Sequence, residues 1–212
     1  MHKLIILLAA LPVLGQAEPL QVRIVDVEGM PVSNVVVYLQ NHATAAIPQA
    51  SRKHEIEQTD KKFAPYVSVV RQQEAVVFTN HDDITHHVYS FNGPARFDFR
   101  LQPDASDSVA EFAEPGVIAM GCNIHDWMSG YVMVVDTPFY AVTNEQGLAI
   151  FADVPASDYH LVAWHPQMAK DEVADRHVVV PAPSDINLQL TQPMAPIPSQ
   201  KSLDDFDFLE GY

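Results

Sequence analysis

The sequence predicts an all-β protein of sandwiches or barrels, as one large or two small domains. Short, valine-rich apolar runs recur along the chain. Turn-forming clusters punctuate them, with 16 prolines and 8 glycines among 212 residues. No apolar period of 3.6 is sustained over three turns, so helices are not expected to build the core. Many short strands at this spacing close into sandwiches or barrels. No period of 20–50 residues repeats, which argues against solenoids and propellers.

Residues 1–17, "MHKLIILLAALPVLGQA", start with His2 and Lys3, run apolar from Leu4 to Leu14 and end on the small residues Gly15 and Ala17. This is the pattern of a secretory signal peptide, too short to span a bilayer stably. No other stretch approaches the roughly 18 apolar residues of a membrane helix, so the mature chain is expected to be soluble and periplasmic. "LQVRIVDV" and "NVVVYLQ" follow as strands around the turn "VEGMP". Then come "APYVSVVR", "EAVVFTN", "HHVYSF", "ARFDFRLQ", "VAEFA", "GVIAMGC" and "GYVMVVD". "YAVTN" and "LAIFADV" flank the turn "NEQG", and "YHLVAWH", "RHVVV" and "INLQL" complete the set. Residues 193–212 are rich in Pro, Ser and Asp and are expected to form an acidic, flexible tail, with Phe206, Phe208 and Leu209 able to dock.

The formal charge of −15 excludes nucleic acid as an expected partner, since phosphate binding needs clustered Lys and Arg. An acidic surface can steer a basic protein partner. It also serves solubility, as the tail acids Asp204, Asp205, Asp207 and Glu210 do. No nucleophile motif such as G-x-S-x-G occurs, so no enzyme activity is expected.

The single cysteine carries the chemistry. In an oxidising compartment Cys122 cannot form an internal disulfide, and a free exposed thiol is a liability. It stands in "GCNIHDWM", with His125 and Met128 at successive spacings of three. A buried inert thiol and a core methionine are the plain alternative. Thiolate, imidazole and thioether together select copper, and two His, one Cys and a weak axial Met make the electron-transfer copper site. The second imidazole must come from "TNHDDITHHVYSF". His86 and His87 alternate across a strand, so only one of them can reach the metal.

The words "FAPYVSVV", "AVVFTNHDDITHHVYSF" and "GCNIHDWMSGYVMVV" resemble the cupredoxins (plastocyanin, azurin, amicyanin) over residues 52–136. The short Cys-x2-His-x2-Met loop is most like that of amicyanin. Periplasmic proteins of methylamine utilisation share the same two ligand words. The resemblance implies a Greek-key β-sandwich holding one copper ion, Cu(I) or Cu(II), on His86, Cys122, His125 and Met128. His86 rather than His87 lies six residues after Asn80, where the family places its ligand. His87 takes the place of an asparagine that bonds across to the ligand loop in the family, which leaves it either bonding near Asn123 or simply exposed. Asp126 replaces a common proline. The implied function is single-electron transfer, with His125, flanked by Trp127 and residues 92–95, as the electron exit. Copper storage, delivery or sensing is the alternative. It needs clustered Met and His, whereas Met30, Met120, Met133, Met168 and Met194 are scattered. His42, His54, His81, His160, His165 and His177 also show no ligand spacing.

The flanks carry a second resemblance. Residues 26–32, 143–147 and 154–166 share turn words with carboxypeptidase-regulatory-like (transthyretin-like) sandwiches. That implies a second sandwich from residues 18–48 plus 137–192, interrupted by the copper unit. Some members of that fold bind carbohydrate, but fold alone assigns no ligand.

Overall fold

The computed structural model describes residues 19–48, 52–109, 112–169, 174–182 and 185–198. The expected signal peptide and residues 199–212 of the tail lie outside the described residues. Those described form an all-β protein of sixteen strands and one 3-10 turn at Thr44–Ala46. No helix among them is long and apolar enough to cross a membrane.

The strands make four sheets. In chain order they are β1 (Leu20–Val25), β2 (Val36–Gln40), β3 (His54–Thr59), β4 (Lys62–Ala64), β5 (Val67–Arg71), β6 (Val76–Asn80), β7 (His86–Ser90), β8 (Phe97–Leu101) and β9 (Ser106–Val109). After these come β10 (Gly116–Cys122), β11 (Ser129–Val135), β12 (Tyr140–Val142), β13 (Leu148–Phe151), β14 (Ser157–Trp164), β15 (Ala174–Val180) and β16 (Ile186–Gln189). The sheets β13-β1-β16 and β12-β2-β14-β15 enclose one core, built on Val22, Ile24, Leu39, Phe151 and Leu161. The sheets β4-β3-β6-β9 and β5-β11-β10-β7-β8 enclose another, built on Ile56, Phe63, Phe78, Ile118 and Val132. "LQVRIVDV" therefore pairs with strands from the end of the chain, antiparallel to β13 and parallel to β16.

The two sandwiches stack. Val67, Val69, Met133 and Val135 pack against Val36 and Tyr140, with Tyr38, Tyr66 and Trp164 at the margin. β2 and β11 are thus covered on both faces, which is why "VVVYL" and "YVMVV" read as unbroken apolar runs, whereas the outer strand β1 alternates. The sandwich built from the two ends of the chain is the outer one here, and the sandwich of β3 to β11 the inner. Turn chemistry sets the step in the outer sandwich from β12 to β13, which belong to different sheets and so form no hairpin. Asn144 Oδ1 accepts the N–H of Gln146 and of Leu148, each at 3.0 Å. Gly147 closes that turn at φ +70°, where a Cβ would lie 2.5 Å from the Ile24 carbonyl oxygen.

Three sequence expectations need correction. The hairpin β3–β4 was not expected. Its only apolar core side chains are Ile56 and Phe63, with Gln58 buried between them, and its turn uses Asp60 and Lys61, both at positive φ, in place of Asn-Gly. The strand expected at "VAEFA" lies earlier, at β9, in the polar word "SDSV". The start of the tail is placed, with Met194 against the outer core and the Ala195 N–H donating to Gln167 O at 2.9 Å.

A buried carboxylate links the sandwiches. Glu74 Oε2 accepts the Arg71 N–H at 2.8 Å and the Tyr140 hydroxyl at 3.0 Å and lies 2.8 Å from His54 Nε2, while Oε1 accepts the Arg52 N–H at 3.3 Å. Burial raises its pKa, but these hydrogen bonds outweigh burial and hold it below the ordinary 4.5. The stability due to Glu74 ionisation is therefore fully present above pH 4.5 and is lost as pH falls through the lower folded value. Thermal midpoints measured from pH 7 to pH 3 should fall more steeply below about pH 4.5 in the wild type than in Glu74→Gln. Parallel curves would remove this role.

Candidate metal centre

The site is built where two strands of the inner sandwich end. β10 delivers Cys122 at its last position, and β7, paired to it antiparallel, delivers His86 at its first. The connection from β10 to β11 is closed on itself. The Cys122 N–H donates to Met128 O at 3.2 Å, and the Met128 N–H to His125 O at 3.0 Å. His125 and Met128 are thereby folded back over the thiol.

Cys122 Sγ lies 3.7 Å from His86 Nδ1 and 3.6 Å from His125 Nδ1. These three donor atoms are all within 4.8 Å of one another. Cys122, His86, His125 and Met128 are 3%, 0%, 7% and 1% exposed. Met128 packs in the same cluster as Cys122. His87 faces the other way. Its Nε2 meets the Asp98 carboxylate, and its Nδ1 lies 3.4 Å from Asn123 Nδ2. The four residues expected as ligands thus share one buried end of the core, and His87 is outside it.

Electrostatics prepare the thiol. Burial alone would raise its pKa, but contacts from His86, the backbone N–H groups of His87 and Ile124, and His125 bring it down to about 6. Cys122 is therefore mainly thiolate at neutral pH. Burial disfavours charge on His86, yet its contacts with Cys122 and Asp82 carry its pKa above the usual value.

Sequence reading missed Asp82. Its Oδ2 lies 2.7 Å from His86 Nε2 and accepts the Lys61 N–H at 3.0 Å. A carboxylate four residues before a candidate ligand histidine was the available signal, but "HDD" could not say which aspartate turns inward. Buried Asn80 fixes the choice. Its Oδ1 accepts the Asp82 N–H at 3.0 Å, and its Nδ2 donates to Ile84 O at 2.8 Å and Leu101 O at 3.1 Å. With Nε2 held outward, the Nδ1 of His86 is left facing the thiol.

The expected flank of His125 is half right. Trp127 lies against it, with ring centroids 5.2 Å apart, and Ile124 beside it is 53% exposed. Residues 92–95 are elsewhere. A Cβ on Gly93 would lie 2.2 Å from the Val117 carbonyl oxygen, at the end of β10 opposite Cys122. The loop follows β7, and β7 runs away from the site.

Solved structures similar to this chain include copper proteins, the cupredoxins among them. A copper-containing nitrite reductase from Thermus scotoductus SA-01 is 20% identical, with a TM-score of 0.38; the match covers 53% of this chain and 28% of that one. A purple cupredoxin from Nitrosopumilus maritimus is 20% identical at a TM-score of 0.35, over 39% of this chain and 99% of that one. An oxidized amicyanin variant is 20% identical at 0.36, over 39% and 82%. No protein-family model matches the chain, and no curated protein matches it.

Proposed function

We propose that this chain is a periplasmic type 1 copper protein that carries single electrons and is not itself an enzyme, with His86, Cys122, His125 and Met128 as ligands. The observation that carries this reading is the buried convergence of two imidazole Nδ1 atoms on a low-pKa thiolate, with a thioether in the same cluster. That donor set suits copper. Bound copper would supply one-electron exchange between Cu(I) and Cu(II).

The protein's own contribution is rigidity and access. Cys122 and His86 sit on paired strands, Asp82 fixes the His86 ring, and the Cys122–Met128 backbone hydrogen bond closes the loop. A donor set held this firmly resists rearrangement when charge changes, which favours fast transfer. The nearly buried edge of His125, beside Trp127 and exposed Ile124, is the electron exit. A c-type cytochrome or a periplasmic dehydrogenase would meet it through a small, transient contact. In this reading residues 52–136 are a cupredoxin domain inserted in a carboxypeptidase-regulatory-like sandwich of residues 18–48 plus 137–192. The pairing of β1 with β13 and β16, and of β2 with β12 and β14, supports that division.

Adding Cu(II) to the purified protein and recording visible and EPR spectra tests the proposal. An intense visible band with reversible one-electron oxidation is expected. Copper bound without the band, or Cu(I) that cannot be reoxidised, would favour delivery or storage. Met128→Leu should keep the coloured site and raise its reduction potential, because a donor that favours Cu(II) is lost. An unchanged potential would remove Met128 from the ligand set.

A further inference from the structure

The residue that follows His86 is tied to the loop between β10 and β11 at three points. The His87 N–H reaches the Cys122 sulfur, and its carbonyl accepts the Asn123 N–H at 2.9 Å. Its ring adds the third contact, with Nδ1 3.4 Å from Asn123 Nδ2. An amide nitrogen only donates, so Nδ1 accepts and the ring hydrogen sits on Nε2. Nε2 faces the Asp98 carboxylate, which accepts that hydrogen. The imidazole is therefore a bridge, with a donor on one side and an acceptor on the other.

Asp98 belongs to β8, the edge strand of its sheet, paired antiparallel to β7. Its direct register partner is Tyr89, and that of His87 is Arg100. These four side chains share the outer face, because successive residues of a strand alternate. A guanidinium has no acceptor for the Nε2 hydrogen, so the ring turns to the diagonal carboxylate. The His87 side chain is 14% exposed and that of Asp98 52%. The ring is thus oriented by its partners and not by solvent, while Asp98 can be replaced without disturbing a core.

We propose that Asp98 is a positioning residue of the thiolate centre, which through the His87 ring clasps Asn123 and keeps the His87 N–H on the Cys122 sulfur. The proposal rests on the copper reading of that centre and deepens it. A hydrogen bond to the sulfur draws electron density from the thiolate and so favours the reduced metal. Loosening the clasp should therefore lower the reduction potential. Loss of the Asp98 charge acts the other way, since a nearby negative charge favours the more positive metal state. Asparagine and alanine at position 98 separate the two effects. Asparagine keeps an acceptor for Nε2 without the charge, and alanine removes both.

The test begins with amide hydrogen exchange in the metal-free full chain. Asp98→Ala should speed exchange of the Asn123 N–H by ~3–10-fold, the net worth of one hydrogen bond. Asp98→Asn should stay near wild type, and amides of β14 in the other sandwich should not change. In a His87→Ala background Asp98→Ala should have no further effect, because the bridge is already gone. In the copper-loaded chain, voltammetry should place Asp98→Ala below Asp98→Asn in potential, with the colour kept in both. Unchanged Asn123 exchange in Asp98→Ala, the same acceleration without His87, or equal potentials in the two variants would each overturn the proposal. If the chain takes up no copper, the electron-carrier reading fails, while exchange at Asn123 still decides whether Asp98 holds the clasp.

Discussion

Cys122→Ser abolishes the intense visible absorption that Cu(II) is expected to develop on the wild-type protein. The band requires charge transfer from a thiolate, and Cys122 is the only cysteine in the chain. No neighbouring sulfur can replace it in that role, because a thioether is a neutral and weaker donor. His86 Nδ1 and His125 Nδ1 remain in place, so a pale, weaker Cu(II) complex is expected, recognisable by EPR. The thermal midpoint of the metal-free variant controls for folding, since Cys122 is also part of the inner core. Retention of the intense band in the serine variant would show that the colour arises at another site.

Asp82→Asn is expected to lower copper affinity by about 10–100-fold, the usual effect of losing an outer partner of a ligand histidine. The carboxylate meets His86 Nε2 at 2.7 Å and is itself held by the Lys61 N–H. Asparagine can occupy the same space, but it removes a negative charge that favours the more positive metal state. The potential should therefore rise while the colour persists. Competition against a chelator gives the affinity, and voltammetry gives the potential. If neither moves, the Asp82 contact is incidental and the ring of His86 is oriented by packing alone.

How much was readable in the sequence follows from which interactions are local. Cys122, His125 and Met128 lie on one short connection, so their spacing alone announced a site. The turns at "VEGMP" and "NEQG" were legible because Asp26 and Asn144 bond their own backbone a few residues on. His86 and His87 could not be told apart by alternation, which says only that they differ. The resemblance chose His86, and the structure puts its Nδ1 near the thiol. The β3–β4 hairpin escaped notice because buried Gln58 breaks the apolar alternation and a positive-φ Asp-Lys turn gives no compositional signal. Asp82 was hidden for a different reason. Its inward turn depends on Asn80, which is oriented by Leu101 from a strand twenty-one residues away.

The pairing of β1 sets the order in which the molecule can be made. Arg23 finds its register partner at Leu148, and Val22 its other partner at Ile186. Everything from β3 to β11 emerges between them, and its strands pair among themselves. The inner sandwich can therefore assemble while β1 and β2 wait with open edges, a state in which unpaired strands invite wrong partners. Closure of the outer sandwich is a late event of high contact order, slow compared with the hairpins inside it. The thiolate centre would then be complete before the protein that surrounds it is, and copper could be taken up by a chain still finishing its fold.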